Sequence, residues 1–484
     1  MPKLRSSSGD AVHLGILALA IAAVVIGAEI GTTAAVFLGC GVLVLTLAAL
    51  LIVHLRARGD LAFFLLVPTI ISAFQNVYLS PFAEQIPEST LQVVIVVNFL
   101  YAIGIYVLLA MLEGHKLPEP TRNLTRRVNM LLLLTVLYGF AAMALFGANL
   151  TAAIASARNI AAPMLFLLIG LYASQVTQLT RYLRYLVWLG VAAIIFGFIE
   201  ANTPGFWQGI GLQSLWEKKG IQVIPGLGLP KNFFASEQLV PGEFIRRMAG
   251  PFADPVNFGT FLFAVFVAAW YVRSRVGQVL AGVAVVLAVS KGALLGVLIF
   301  LAVWTTKVRS RFEAFLAIVA VAVVGTYFFA FTQSSSTGST AAHVGGLLAA
   351  FTEVVTHPLG RGFGGTGVLA GLFAEEGSES GSNILESGLG TIIGQLGVPG
   401  IILYAVFFGS ILAAIHRIPG VRERVLGYSL TFAFIANMAF NEVALSPNSC
   451  APYFIALGLL IGSSEWTTRA ADRGESRTAE AVPA

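Results

Sequence analysis

The stretch HPLGRGFGGTG (His357–Gly367), followed after an acidic Gly/Ser-rich loop by SNILESGLGTIIGQLGVPGIILY (Ser382–Tyr404), decides how the chain reads. Glycines recurring from Gly360 to Gly371, together with Pro358, exclude a regular helix and favour turns whose backbone can be approached closely. The second part reads as a helix entering a membrane. Ser382 or Asn383 caps its free amides, and Glu386 falls in or near its first turn, where the helix dipole favours negative charge. A carboxylate is thereby expected at the membrane's edge, on what reads as an active-site segment.

The chain around it has 484 residues, 57% hydrophobic and only 11% charged, with a mean hydropathy of +0.85. Its apolar runs repeatedly approach the roughly 20 residues a helix needs to cross a bilayer. These runs predict an all-α polytopic membrane bundle of about 14 transmembrane helices, forming a single domain over residues 1–484. The expected spans are Ala11–Ile30, Thr32–Val53, Leu61–Leu79, Leu91–Leu112, Met130–Phe146, Ile160–Ser174, Leu186–Ile199, Val256–Val272, Val279–Val289, Ala293–Trp304, Phe315–Phe331, Leu389–Ile415, Val425–Phe440 and Pro452–Ile461. Two large outer loops, about 200–255 and 332–385, and a tail over about 464–484 complete the layout. In the second loop Leu347, Leu348, Phe351, Val354 and Val355 have the spacing of a short amphipathic helix lying on the interface. Basic residues concentrate in alternate loops, which puts both termini in the cytoplasm. The net charge of +5 is spread over those loops rather than gathered in one patch, so no nucleic-acid partner is expected. Cys40 and Cys450 read as two packed thiols.

Against the positive-inside trend, Arg158, Lys218, Lys219, Lys231, Arg246, Arg247, Lys291 and Arg361 fall on the outer side. Arg158, Lys291 and Arg361 lie beside apolar or Gly-rich chain, where an unpaired charge is expensive. Either these side chains reach out to lipid headgroups, the reading favoured for Lys218 and Lys219, or several converge on a phosphate or pyrophosphate group. Arg158, Arg246, Arg247, Lys291 and Arg361 are the substrate-binding candidates. Glu386 is the candidate base for deprotonating a hydroxyl acceptor, with a structural helix-terminal carboxylate as its alternative. Asp254 reads as a helix cap. The histidines show no metal-ligand spacing, and GxSxG, Walker A and HExxH motifs do not occur, so no metal and no cofactor is expected.

RNIAAPMLFLLIG from Arg158, RMAGPFADPVNFGTFL from Arg247, SKGALLG from Ser290, HPLGRGFG from His357 and ESGLGTIIGQLGVPGIILY from Glu386 together resemble the O-antigen ligases and polysaccharide polymerases of bacterial envelopes. The resemblance implies a multi-span glycosyltransferase of the bacterial plasma membrane. It would act on the outer face, moving a polyprenyl-pyrophosphate-linked glycan to a glycan acceptor, with other polysaccharide-assembly proteins as partners. By position, Arg158, Arg247 and Lys291 would bind the pyrophosphate and Glu386 would activate the acceptor. Ligases of this family commonly carry His where Glu386 stands, which points to a polymerase; a ligase is the alternative. A flippase or transporter of the lipid-linked glycan is the competing reading from another class.

Overall fold

The computed structural model describes residues 61–85, 87–235, 245–308, 310–335, 337–368 and 387–472. The first two expected spans, Cys40, the acidic part of the 332–385 loop, Ser382, Asn383 and Glu386 lie outside the described residues.

Most of the expected apolar periodicity is realised as helix. Helices α1 (Val67–Leu79), α2 (Glu88–Glu113), α3 (Glu119–Phe146), α4 (Leu150–Ala173) and α5 (Leu179–Asn202) follow one another through short connections. A helical turn at Phe206–Gly209, the short α6 (Leu212–Lys218) and one antiparallel pair, β1 (Val223–Ile224) with β2 (Leu229–Pro230), come next. Then α7 (Pro255–Tyr271), α8 (Arg275–Leu287), α9 (Lys291–Val308), α10 (Arg311–Ser335) and α11 (Thr337–Thr356) lead to the Gly-rich loop. Helices α12 (Gly388–His416), α13 (Val421–Phe440) and α14 (Pro447–Asp472) follow it. Among the described residues, six helical stretches are long and apolar enough to cross a membrane: Phe64–Phe82, Phe99–Lys116, Glu119–Phe146, Leu150–Ala173, Leu179–Asn202 and Gly388–His416. The fold is that of an all-α membrane protein.

Two helices begin well before the expected boundaries, each for a local reason. In α3, Glu119 and Pro120 occupy the first turn, suited to the helix dipole and to a position that needs no N–H. Arg122, Arg126 and Arg127 therefore lie on a helix rather than in a loop. In α4, Asn149 Oδ1 accepts from the N–H groups of Thr151 (2.8 Å) and Ala152 (3.3 Å), so the segment expected as an outer loop is the helix's first two turns. Arg158 consequently stands inside α4.

Every residue of α4 from Asn159 to Ala173 is buried, which makes it the centre of the bundle. Its tightest neighbour is α14. A Cβ on Gly458 would fall on the backbone of Leu167 and Leu171, and one on Gly170 would strike the carbonyl of Ile455. The two backbones touch directly, the arrangement that small residues permit between membrane helices. Phe407 of α12, Phe434 of α13 and Phe454 of α14 fill the space beside this crossing, with Phe434 and Phe454 edge to face at 4.7 Å.

Helix α12 breaks at Gly397 (φ 61°, ψ −148°), two residues before Pro399. Pro399 has no N–H for the carbonyl of Gln395, and the N–H of Val398 turns away to Pro358 O at 2.8 Å. The carbonyls of Gly394 and Gln395 lose their helical donors and accept instead from the N–H groups of Arg361 (2.9 Å) and Gly362 (2.8 Å). The Gly-rich loop is the second half of a broken helix's hydrogen bonding. Before it, the apolar stripe expected on one face of α11 divides. Ala350 and Val354 meet Ile393 of α12, whereas Leu348, Phe351 and Val355 are exposed.

Gly458→Ala is expected to cost about 1–3 kcal/mol, because backbone rather than a side-chain tip must move. Gly409→Ala, at a glycine with open space around it, should be neutral or slightly stabilising. Thermal unfolding of the two purified variants beside the parent in one detergent checks both.

Candidate functional site

The Gly-rich loop threads between α3, α4 and α12. Gly362 (φ 79°) lies so close to the backbone of Met143 that a side chain there has no room, and Phe363 is buried edge to face against Phe140 at 5.3 Å. Gln395, fully buried, ties the loop to two helices: its Nε2 donates to Thr366 O (2.6 Å) and Ser156 Oγ (3.2 Å), and its Oε1 accepts from Gly364 N (3.3 Å). Ser156 is two residues from Arg158. Where the described loop stops, Val368 N donates to Glu442 Oε2 at 2.8 Å. Where the chain resumes, buried Ser387 donates to Ala439 O (2.6 Å) and caps α12 by accepting from Gly390 N (3.0 Å). Val368 and Ser387 are thus both bonded to residues 439–442. The helix cap is Ser387 rather than the expected Ser382 or Asn383, and α12 starts at Gly388.

A second loop, residues 245–254, docks on the α8–α9 hinge. Met248 N donates to Leu287 O (3.1 Å), and Arg247 Nε donates to Ala288 O (3.0 Å). The hinge is strained at Val289, β-branched, with φ 45°, and the docked loop is strained at Ala253, with φ 51°. Such conformations cost on the order of 1–3 kcal/mol each and gather where surrounding structure holds a site in place. Asp254 caps α7 through Val256 N (2.8 Å), as the sequence leads one to expect, and also accepts from Asn257 Nδ2 (2.8 Å). Asn257 Oδ1 in turn accepts from Ser446 Oγ (2.9 Å) and Ser449 Oγ (2.6 Å) at the start of α14. One polar network therefore joins the Arg247 loop to the turn that holds Glu442.

The candidate cations separate by what meets their charge. Arg246 Nη2 donates to Glu200 Oε2 at 2.7 Å, and the fully buried Glu200 also accepts from Trp207 Nε1 (2.9 Å) and Ala249 N (2.7 Å). Arg361 Nε donates to Glu353 Oε1 at 2.6 Å, an oxygen shared with His357 Nδ1 at 3.1 Å. These two arginines are neutralised by carboxylates and hold loops. The other group is bound by neutral oxygens. Arg247 donates to the carbonyls of Ala288 and Asn232 (2.9 Å), and Arg158 Nε donates to the amide oxygen of Asn159 (3.1 Å). Lys219 Nζ donates to Asn76 Oδ1 at 2.7 Å, and Asn76 Nδ2 donates to Phe252 O at 2.8 Å. Burial pushes the Arg247 guanidinium down to about 10, with nearby Asp254 opposing, and burial followed by the charge of Arg158 pushes the Lys219 amine down to about 8. Arg158 and Lys219 are thus like charges within electrostatic reach. Among the described residues no carboxylate forms an ion pair with Arg158, Arg247 or Lys219. Lys291 opens α9, three residues beyond the carbonyl that binds Arg247.

Glu200, Glu353, Glu442, Asn76 and the engagement of Lys219 were not legible in the sequence. Only Glu200 leaves a local trace, as a lone acid closing an apolar run.

Glu200→Ala should destabilise the protein by about 3–5 kcal/mol, since it strands a partly buried guanidinium, and denaturant or thermal unfolding reads this. For Lys219 the folded-state value lies below the ordinary 10.5. Between about 8 and 10.5 the unfolded chain keeps a proton that the folded one has released, so this group's contribution to stability rises with pH through that window. The melting temperature of the parent relative to Lys219→Met should accordingly rise between about pH 7.5 and about pH 9.5.

No protein-family model and no curated protein matches this chain, so its function rests on the site's own chemistry.

Proposed function

We propose that the protein is a membrane glycosyltransferase that polymerises polyprenyl-pyrophosphate-linked oligosaccharide repeat units on the outer face of the bacterial plasma membrane. The observation that carries the reading is the presence of Arg158 and Arg247, from distant parts of the chain, hydrogen-bonded to neutral oxygens and, among the described residues, in no direct ion pair with a carboxylate, although Asp254 lies near enough to Arg247 to act on its charge. Partly buried cations in that state favour an anionic ligand, and Arg offers a phosphate two parallel donors. Lys291, next to the Arg247 dock, is the third arm. Arg246 and Arg361 serve the site by fixing its loops through Glu200 and Glu353.

In this reading the chain is one domain of about fourteen spans with both termini in the cytoplasm, and the loops of about 200–255 and 332–385 face outward. Glu386 takes the proton from an acceptor sugar hydroxyl as its oxygen attacks the donor's anomeric carbon. The bond from that carbon to the phosphate oxygen breaks, and the pyrophosphate departs with the electron pair and the anomeric configuration inverted. The guanidinium groups stabilise the charge growing on the leaving group. Val368 is bonded to Glu442 and Ser387 to Ala439, close in sequence to Ser446 of the Asp254–Asn257–Ser446 network, which supports this reading. Transfer to another acceptor, as a ligase, uses the same donor site. A flippase would use the cations without the base.

Incubation of purified protein with a lipid-diphosphate-linked repeat unit tests this. The wild type should extend the glycan, Glu386→Gln should lose about 10²–10⁴-fold in rate while still binding donor, and Arg158→Ala and Arg247→Ala should lose donor binding. Lipid transport across vesicles without any new glycosidic bond would establish the flippase instead.

A further inference from the structure

At the end of the bundle that the basic loops assign to the cytoplasm, three helices meet at one tyrosine. Tyr428 lies two turns into α13. Lys307 Nζ, from the last turn of α9, sits over its ring 5.5 Å from the centroid, and His416 Nδ1, from the last residue of α12, shares a hydrogen bond with its hydroxyl at 3.4 Å. Basic residues are common in last turns, where the helix dipole favours them. Here, however, both converge on one aromatic side chain. Lys307 forms no hydrogen bond and no ion pair among the described residues, so its ammonium keeps its donors after the contact with the ring is made.

Arg424 precedes Tyr428 by one turn, at the spacing that puts two side chains on the same helix face. Its guanidinium has no bonded partner among the described residues, and its Nε is buried. The neighbouring charges are already occupied. Arg422 donates to Trp270 O and lies over the rings of Trp270 (4.9 Å) and Tyr271 (5.6 Å), and Glu423 accepts from the Tyr271 hydroxyl at 3.1 Å. The acid is thus engaged on the α7 side of α13, while Lys307 and His416 gather against α13 from α9 and α12.

One turn deeper, Phe432 stacks on Tyr428 with centroids 5.8 Å apart and planes at 10°, and it is 39% exposed. The cluster therefore runs from cations and a hydroxyl to an apolar ring along the direction in which a phospholipid runs from phosphate to acyl chain. A soluble phosphate makes no use of that ring. Lys supplies a point charge and Arg a two-pronged donor for phosphate oxygens.

We infer that Lys307, His416, Tyr428 and Arg424 form a binding site for the phosphate of an anionic phospholipid in the cytoplasmic leaflet, with Phe432 against its acyl chain. The site is separate from the proposed donor site and stands whether or not the protein joins sugars.

Native mass spectrometry of the full-length protein in a non-ionic detergent, titrated with dioleoylphosphatidylglycerol, dioleoylphosphatidylcholine or inorganic phosphate, tests this. The parent should retain phosphatidylglycerol at concentrations where the other two do not bind. Lys307→Gln and Arg424→Gln should each weaken phosphatidylglycerol binding about 5-fold, one basic residue's share in holding an anionic lipid. Lys307→Arg should keep it and shows that the site still folds. Arg184→Gln, which removes an exposed cation near the start of α5 on the same side of the membrane, should leave it unchanged. Equal affinity of the parent for the two lipids, or equal weakening by Arg184→Gln and Lys307→Gln, overturns the inference. Inorganic phosphate bound as tightly as phosphatidylglycerol overturns the assignment of a lipid.

Discussion

A proline without an N–H organises the working end of this molecule. Because Pro399 and the diverted Val398 leave two carbonyls of α12 without donors, a neighbouring backbone has to supply them, and the N–H groups of Arg361 and Gly362 do. That requirement seats the Gly-rich loop against three helices at once and lets the buried Gln395 bond it to Ser156, beside Arg158. An unsatisfied carbonyl in a membrane protein costs several kcal/mol, so the loop's course is set by hydrogen bonding rather than by side-chain packing. The glycines follow from this, since the backbone approaches leave no space for a Cβ.

The bundle that supports this arrangement is stiff where it needs to be. The α4–α14 crossing brings backbone to backbone at Gly170 and Gly458 and holds Arg158 on a fixed helix. Strain appears at Val289 in the α8–α9 hinge and at Ala253 in the Arg247 loop, and Arg247 and Met248 bond that loop to the hinge.

The helices, the cap at Asp254 and the close approach around the Gly-rich loop were legible in the sequence, because each depends on neighbours within a few residues. Helix starts were less so: Asn149 extends α4 backward and makes Arg158 a helical residue, which apolar periodicity alone does not reveal. Charge partners were the least legible. Glu353 and Arg361 are eight residues apart, but Arg246 finds Glu200 across 46 residues and Lys219 finds Asn76 across 143. Which cations meet a carboxylate is decided by these tertiary pairings, so basic residues that look alike in sequence separate only in three dimensions.

The most direct measurement is a cryo-electron-microscopy map of the full chain with bound undecaprenyl diphosphate. Phosphate density in contact with the side chains of both Arg158 and Arg247 is the expected result. Phosphate density away from both, with these side chains turned to lipid or still bonded only to protein oxygens, would contradict the claim that they form the donor site.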